Sequence, residues 1–238
     1  MENDSEKVID ITYDFRNDSN GRDPDMYSAT LRRYHKILWT KTLPNGDSFT
    51  LSSNVKKIYL YCESNLDKFY LSSDVMIPTY SKWKRTKDLI EQVPKNEVAD
   101  FLRTTCTIGA YIIFPKNKID GMQTINQERG RNKAINDRFD LTLECIRCHY
   151  DRCENPLQKT LKAYDNYFKL FQDFKGFCDF FLLQDLVSED YKKVKFLLPF
   201  NGFIQNPLPA NIEEYLIYKN NSVEFVKKRN NRIQMLNK

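Results

Sequence analysis

Apolar and polar residues alternate along several short segments in the first half of the chain. VIDITYDF (8–15) alternates between apolar and polar residues, while KKIYLYC (56–62) and KFYLSSDV (68–75) are rich in aromatic and β-branched residues. These patterns predict β-strands. The Asn-Gly pair in LPNGDSFTLSS (43–53) predicts a hairpin turn. The unbroken apolar run in TIGAYIIFP (107–115) predicts a strand at the centre of a sheet.

Apolar residues recur every three or four positions in other segments, and this spacing is typical of amphipathic helices. In the first half of the chain, MYSATLRRYHKILW (26–39) and YSKWKRTKDLIEQV (80–93) show it. In the second half, DRFDLTLECIRCHYDR (137–152) and PLQKTLKAYDNYFKLFQDF (156–174) show it more strongly. The residues that follow Asn211 predict a long terminal helix with a basic end.

Strands are therefore concentrated in the first half and helices in the second, with one further strand predicted at VKFLLPF (194–200). We expect an α+β fold, in which a mixed, largely antiparallel sheet from the N-terminal half packs against helices from the C-terminal half. Residues 1–7 are expected to form a disordered tail. Residues 8–238 are expected to form a single α+β domain, strand-rich over 8–115 and helix-rich over 133–238.

Composition and motifs indicate in which compartment the protein is found and exclude several classes of enzyme. The polar, acidic N-terminus lacks the basic start and apolar run of a signal peptide, and no stretch has the roughly 18 apolar residues that a membrane helix needs. We therefore expect a cytoplasmic protein with no membrane partner, whose six cysteines stay reduced. With only seven glycines, the chain has no glycine-rich phosphate loop, and it has no nucleophile-elbow or zinc-protease motif.

The charge is distributed unevenly along the chain. The formal net charge is +5, although residues 1–25 contain eight acidic and only three basic residues. The remainder is therefore strongly basic, which suits nucleic acid or a phosphorylated ligand as the partner. A basic surface that only keeps the protein in solution is the alternative interpretation.

Four residues that could bind a metal lie within one predicted helix: Cys145, Cys148, His149 and Cys153. The first three have the spacing of a covalent haem site, but haem attachment requires export. A zinc site needs four ligands around one ion. A helix that rises about 1.5 Å per residue separates Cys145 from Cys153 by about 12 Å, too far to share a zinc ion. We therefore predict a structural helix with buried thiols and no metal site. A partial site completed by a distant ligand stays open.

The segment KNKIDGMQTINQERGRNKAIN (116–136) predicts a polar loop between the apolar strand and the next helix. Its ligand-binding candidates are Asn126, Gln127, Arg129 and Arg131, which offer amide and guanidinium donors. A position before a helix start favours an anion, and such loops often carry function. The alternative is a solvated connection whose charges bind nothing specific.

Two other positions supply candidates for catalysis. Asp140 and Glu144 lie on one face of the following helix, where carboxylates can act as acid and base, and Arg138 beside them is a ligand-binding candidate. His35 and Arg32 lie in a segment with Tyr34 and Trp39, which could hold a phosphate and stack a base. An ion-paired helix surface is the alternative for the first group, and an aromatic core for the second.

Several long segments of the chain carry a resemblance to a known family. They are YSATLRRYHKILWTKTLPNG, YLSSD, IIFPKNKIDGMQTINQERG, DRFDLTLECIR and DFFLLQDLV, which together extend from about Phe15 to the terminal helix. The chain resembles a bacterial domain family of unknown function. The resemblance implies an intracellular bacterial protein, and it supplies no activity, cofactor or catalytic residue.

Three functions are compatible with the sequence. The first is an intracellular protein that binds or acts on nucleic acid or a nucleotide, with a toxin or phage-defence effector as one form of it. The second is a non-catalytic interaction module with a protein partner or a homo-oligomer. The third is a small-molecule enzyme resembling ADP-ribosyltransferases. The sequence leaves open the cofactor, if there is one, and whether the protein is an enzyme.

Overall fold

The protein has an α+β fold built around a four-stranded antiparallel sheet. The computed structural model describes residues 8–53, 60–119 and 121–236. The sheet order is β3-β4-β5-β6, and β1 and β2 form a separate antiparallel hairpin. The strands are β1 (Lys41–Thr42), β2 (Ser48–Phe49), β3 (Ser52–Ser53), β4 (Leu60–Glu63), β5 (Lys68–Val75) and β6 (Tyr111–Pro115). All strands in the described residues lie in the N-terminal half, as the sequence predicted apart from the further strand expected at 194–200.

Helices cover the sheet and form most of the structure from residue 125 onward, apart from an irregular segment over 187–211. Four of the described helices lie in the N-terminal half, so this half is less purely strand-rich than expected. They are α1 (Pro24–Tyr27), α2 (Ala29–Trp39), α3 (Lys87–Ile90) and α4 (Lys95–Thr105). The later helices are α5 (Ile125–Arg131), α6 (Phe139–Asp151), α7 (Gln158–Ala163), α8 (Asp165–Lys169), α9 (Phe174–Phe180) and α10 (Ile212–Leu236). No described helix combines the length and the apolar character needed to cross a lipid bilayer.

The predicted central strand, β6, lies at the edge of the sheet and not at its centre. Among the described strands it pairs only with β5, with Ile113 opposite Ser73, yet all five of its residues are buried. The carbonyl of Ile113 accepts a hydrogen bond from the Tyr167 hydroxyl at 2.9 Å, and that of Tyr111 accepts one from Arg229 at 2.8 Å. Helix side chains thus replace the missing strand and cover an edge that would otherwise be free to pair.

Two predicted strands are absent because side chains take their backbone hydrogen bonds. In 8–15, the Thr12 amide and hydroxyl both donate to Asp10, at 2.8 and 2.6 Å, which produces a turn. In 194–200, only Val194 forms a bridge, with Val187, and the Leu197 amide donates to the Asp140 carboxylate. The predictions of strands at 8–15 and 194–200 were therefore wrong.

Other predictions were confirmed, some with altered ends. The hairpin forms as β1 and β2, and α2, α6 and α10 form where the spacing predicted helices. The segment 116–136 is not a continuous loop, because α5 begins at Thr124 with a capping box. The predicted helix over 156–174 divides into α7 and α8. The predicted strand 56–62 is described only from residue 60, and the predicted tail at 1–7 lies outside the described residues.

The core is rich in aromatic rings, as 16 Phe and 14 Tyr suggest. Phe171 lies within 5.3 Å, between ring centroids, of Phe177, Phe180 and Phe181, and Phe181 lies 5.2 Å from Trp39 of α2. These tilted and edge-on pairs are the favoured geometries for aromatic side chains. They connect α9 to α2, and α2 in turn lies against β5 through His35.

Candidate functional site

His35 lies in α2 with its side chain completely buried. Its Nδ1 accepts a hydrogen bond from the Trp39 indole at 2.9 Å, and its Nε2 lies 2.9 Å from the Ser73 hydroxyl of β5. Because an indole only donates, the ring proton of His35 is on Nε2, which donates to Ser73. Burial, with the positive charge of Arg229 nearby, lowers the pKa of His35 to about 3. The imidazole is therefore neutral at pH 7 and held at both nitrogens.

Arg129 of α5 is completely buried and contacts β5. Its Nη1 pairs with the Asp74 carboxylate and donates to the Val75 carbonyl at 3.1 Å. Its Nη2 donates to the carbonyl of Asp137 at 2.7 Å and lies 3.3 Å from the carboxylate of the same residue. Burial raises the pKa of Asp74 to about 6, although the charge of Arg129 opposes the rise. Arg129 thus joins α5 to β5.

Arg138 and Asp140 form a second buried ion pair at the start of α6. Arg138 also donates to the carbonyls of Leu198 at 2.7 Å and Pro207 at 2.9 Å. The Asp140 carboxylate accepts from the amide of Leu197 at 2.9 Å. The pair therefore holds the segment 197–207 against α6.

The other predicted site residues lie apart, and each has a local partner. Glu144 pairs with Arg147 at 2.6 Å. Arg131 donates to Gln123 and Arg32 donates to the Met26 carbonyl, each at 2.8 Å. Asn126 donates to the Ser72 hydroxyl at 3.3 Å, and Gln127 completes the capping box of Thr124. The predicted catalytic and binding roles of all nine residues stay predictions.

Three of the predicted residues converge on consecutive positions of β5, but not in one pocket. His35 contacts Ser73, whereas Asn126 and Arg129 contact Ser72 and Asp74. Successive side chains of a strand point to opposite faces, so His35 lies on one side of the sheet and the α5 residues on the other. Asp140 and Glu144 lie on α6, away from both groups.

Cys145, Cys148 and His149 lie in α6 as predicted, but the helix ends before Cys153, so the prediction of a helix with buried thiols was wrong for this residue. Cys145 and Cys148 are buried in α6, Cys153 is exposed just beyond its end, and His149 lies 3.3 Å from Asp165. Over the described ranges, no group of three or more His, Cys, Asp or Glu side chains is arranged to hold a metal ion.

A cleft of ≈ 530 Å³ opens between two segments, one that precedes α2 and one that follows β5. One wall comes from residues 16–25, which end in α1, and the other comes from residues 75–83, which follow β5. Its remaining lining residues come from α4, from the residue that ends it, and from β6: Leu102, Thr105, Cys106 and Tyr111. None of the predicted site residues lines this cleft.

Asp25 lies in the cleft and lacks a full set of hydrogen bonds. Its Oδ1 is buried and has no hydrogen-bond partner within the described part of the chain. The Ser73 hydroxyl and the Val75 amide lie close enough to the carboxylate to favour its charged form. Burial raises the pKa of Asp25 well above its usual range, and the negative charges of Asp74 and Asp23 raise it further.

Ser73 connects Asp25 to the interior of the protein. The Trp39 indole donates to His35 and His35 donates to Ser73, so the proton of the Ser73 hydroxyl stays available for another acceptor, and its effect on the pKa of Asp25 indicates that it favours the nearby carboxylate. Each step follows from the previous one, because each group has one available proton. His35 therefore orients the hydroxyl that faces the carboxylate.

The wall opposite Asp25 is held rigidly by side-chain hydroxyls. The carbonyl of Pro78 accepts from Tyr218 at 2.9 Å, that of Thr79 accepts from Tyr215 at 3.1 Å, and that of Tyr80 accepts from Thr86 at 2.8 Å. Tyr80 has a φ of 57°, which is uncommon for a bulky residue. Such backbone strain persists only where the surroundings enforce it, and it is frequent at ligand-binding sites.

Aromatic and basic side chains complete the cleft. Trp83 is partly buried and its ring meets that of Tyr80 edge-on, with centroids 5.2 Å apart. Arg22 and Lys82 line the rim, and neither forms an ion pair with any described residue; the Arg22 guanidinium lies 4.5 Å from the ring centroid of Tyr27. Arg16 also lines the cleft, but its charge is paired with Asp14.

The sequence offered only weak signals for these residues. The segment RNDSNGRDPD (16–25) has the turn residues of a loop, and Trp83 fits an apolar helix position. The two segments are distant in the sequence and have no motif in common. An acidic residue beside proline in a loop is the one signal that could have identified Asp25, since exposed loops often carry binding residues.

The chain belongs to a family of unknown function, DUF6994, which it matches over residues 9–233. This finding confirms the predicted resemblance to a family without an assigned activity, while the bacterial origin stays a prediction. No curated protein matches the chain. No solved structure matches it either.

Proposed function

We propose that this protein binds a nucleotide in the cleft between α1 and the segment that follows β5. An amino group of the base donates to Asp25, the base ring contacts Trp83, and the phosphates lie near Arg22 and Lys82. The observation that carries the proposal is the buried, unpartnered Oδ1 of Asp25 within the cleft.

A buried acceptor without a donor is costly, by about 1–3 kcal/mol. Native proteins retain few such groups, and each calls for an explanation, such as a bound water or ion. Eight buried side-chain atoms in the described residues have no partner, and Asp25 is the one residue among them that lines this cleft. A ligand N–H that enters the cleft would complete its hydrogen bonds.

The chemistry around Asp25 favours a ligand with a flat ring and an anionic end. Trp83 offers an aromatic surface, and stacking of a base on such a ring contributes about 1–3 kcal/mol. Arg22 and Lys82 are unpaired within the described residues and suit phosphate oxygens. The volume of ≈ 530 Å³ also lies in the range typical of small-ligand sites.

The position of Asp25 selects among bases. Adenine, guanine and cytosine carry exocyclic amino groups that donate hydrogen bonds, whereas uracil presents carbonyl oxygens at the corresponding positions. A carboxylate attracts the first group and repels carbonyl oxygens. We therefore expect adenine, guanine or cytosine nucleotides to bind more tightly than uridine nucleotides.

Thermal-shift measurements and calorimetric titrations with ADP, GDP, CDP and UDP test the proposal on the full chain. A ligand that binds only the folded state raises its melting temperature. We expect stabilisation by at least one amino-bearing nucleotide, its loss in Asp25→Asn and its retention in Asp88→Asn. Asp88→Asn is a matched control because it removes the same charge from an exposed position on α3. Absence of binding by all four nucleotides would overturn the proposal.

Nucleic acid is the alternative ligand with the same chemistry. Single-stranded oligonucleotides at two salt concentrations distinguish it, because contacts with many phosphates weaken steeply as salt rises. Binding of oligonucleotides without binding of mononucleotides would favour a nucleic-acid partner. Products released from either ligand would identify an enzyme, and a toxin or defence effector stays a prediction until such an activity is measured.

A further inference from the structure

Two cysteines come together where α6 ends. Arg152 adopts the left-handed conformation, with φ 60° and ψ 30°, and reverses the chain. The Cys153 amide then donates to the Cys148 carbonyl at 2.9 Å. This is the hydrogen bond of a Schellman motif, in which the residues at these two positions typically make a side-chain contact.

Here the contacting side chains are both thiols. The Cys153 thiol lies close enough to Cys148 to raise the pKa of the Cys148 thiol, and both thiols are free. A disulfide requires Cα atoms about 4.4–6.8 Å apart and side chains directed at each other. Because the backbone hydrogen bond already brings these two residues together at the helix end, we expect the disulfide to form while the helix end stays in place.

We propose that Cys148 and Cys153 form an intramolecular disulfide when hydrogen peroxide oxidises the protein. The Cys153 thiolate attacks one peroxide oxygen, the O–O bond breaks, and the leaving hydroxide takes a proton to become water. Cys153 is then a sulfenic acid. The Cys148 sulfur attacks the Cys153 sulfur, the S–O bond breaks, and the oxygen leaves as a second water with the thiol proton. Two thiols lose two electrons in total, and the peroxide gains them.

Solvent exposure indicates which cysteine reacts with the peroxide and which one then forms the disulfide. Cys153 is exposed, whereas Cys62, Cys106, Cys145, Cys148 and Cys178 are buried, so the oxidant reaches Cys153 first. Burial raises the pKa of Cys148 to about 12, which keeps it a thiol until its neighbour has reacted. The Arg147 guanidinium lies 3.7 Å from the Cys148 sulfur and can stabilise negative charge as the S–S bond forms.

Hydrogen peroxide treatment of the full chain, followed by intact mass and peptide mapping, tests the proposal. Trypsin cleaves after Arg147 and Arg152, so it places the two cysteines on separate peptides. We expect a loss of two hydrogen atoms per chain, a loss of two titratable thiols, and a cross-linked pair of peptides that dithiothreitol separates.

Single variants show which step fails. In Cys148→Ala, we expect Cys153 to accumulate as sulfinic acid or to link two chains, with no internal cross-link. Cys106→Ala is a matched control, since the two residues are similarly buried at 6% and 7% exposure, and it should cross-link like the unmodified protein. Oxidation of Cys153 to sulfinic acid in the unmodified protein, with Cys148 still a free thiol, would overturn the proposal.

Discussion

The buried ion pairs of α5 and α6 and the cleft around Asp25 use the same residue types in opposite ways. Arg138 and Asp140 pair with each other, and the carbonyls of Leu198 and Pro207 accept further hydrogen bonds from the guanidinium. Asp25 has no cation against it, and its Oδ1 has no partner among the described residues. The difference indicates that the first group stabilises the fold, whereas the second is prepared for a ligand.

The largest effect should follow from breaking the satisfied pair. Arg138→Met leaves the Asp140 carboxylate buried without its cation, which costs about 3–5 kcal/mol of unfolding free energy. Urea denaturation measures this loss. The double variant Arg138→Met/Asp140→Leu should recover much of it, because no buried charge is then left unpaired. A loss below 1 kcal/mol in the single variant would contradict the structural role.

The next effect concerns the aromatic wall of the cleft. Trp83→Ala should weaken nucleotide binding by about 1–3 kcal/mol, or roughly five-fold to 150-fold, because the base loses its stacking surface. Calorimetric titration measures the affinity, and circular dichroism shows whether the fold is retained. Equal affinity in a folded Trp83→Ala protein would remove this residue from the site.

The substitution Asp25→Asn should have a smaller effect on the unfolding free energy, and it should stabilise the protein, whereas Arg138→Met destabilises it. The pKa of Asp25 is higher in the folded protein than in the unfolded chain, so its ionisation opposes folding as the pH rises from about 4 toward the folded value. Asp25→Asn should therefore stabilise the protein at pH 7, by about 1 kcal/mol. The gain should disappear at acidic pH, where Asp25 is protonated in both states. Urea denaturation at a series of pH values tests this, and a destabilised variant at pH 7 would count against it.

The smallest effect should occur on the partly exposed face of α6. The Glu144 and Arg147 side chains are 18% and 19% exposed, and Arg147 keeps a second partner, Asp151, so we expect this pair to contribute about 1 kcal/mol or less. Glu144→Gln should change the unfolding free energy within that range and leave nucleotide affinity unchanged. A marked loss of affinity would restore Glu144 to the functional site and weaken the contrast between the two regions.

Local pattern predicted much of the fold. Helices α2, α6 and α10 follow from apolar spacing, and the hairpin follows from Asn45-Gly46. Pattern failed where side chains from distant residues satisfy the backbone. The burial of β6 depends on Arg229 and Tyr167, which sequence periodicity cannot pair with a strand.

The candidate site was less predictable for a related reason. Polar residue types identified Arg129 and Asp140, but only the structure shows that the Asp140 carboxylate and the two Nη groups of Arg129 are bonded within the protein, while Nε of Arg129 has no partner among the described residues. Asp25 is one of many acidic residues in the N-terminal segment, and nothing in the sequence marks its burial. Whether a polar side chain finds hydrogen-bond partners within the protein depends on its neighbours in three dimensions. The sequence therefore could not distinguish residues that stabilise the fold from residues that are available to a ligand.

The most direct test of the central claim is the pH dependence of nucleoside affinity in the unmodified protein and in Asp25→Asn. A nucleoside is preferable because it has no phosphate that titrates in the same range. If Asp25 accepts a hydrogen bond from the base, the affinity of the unmodified protein rises with pH until the carboxyl group is ionised, and that of Asp25→Asn is weaker and independent of pH. Equal affinities with the same pH dependence in both proteins would contradict the account.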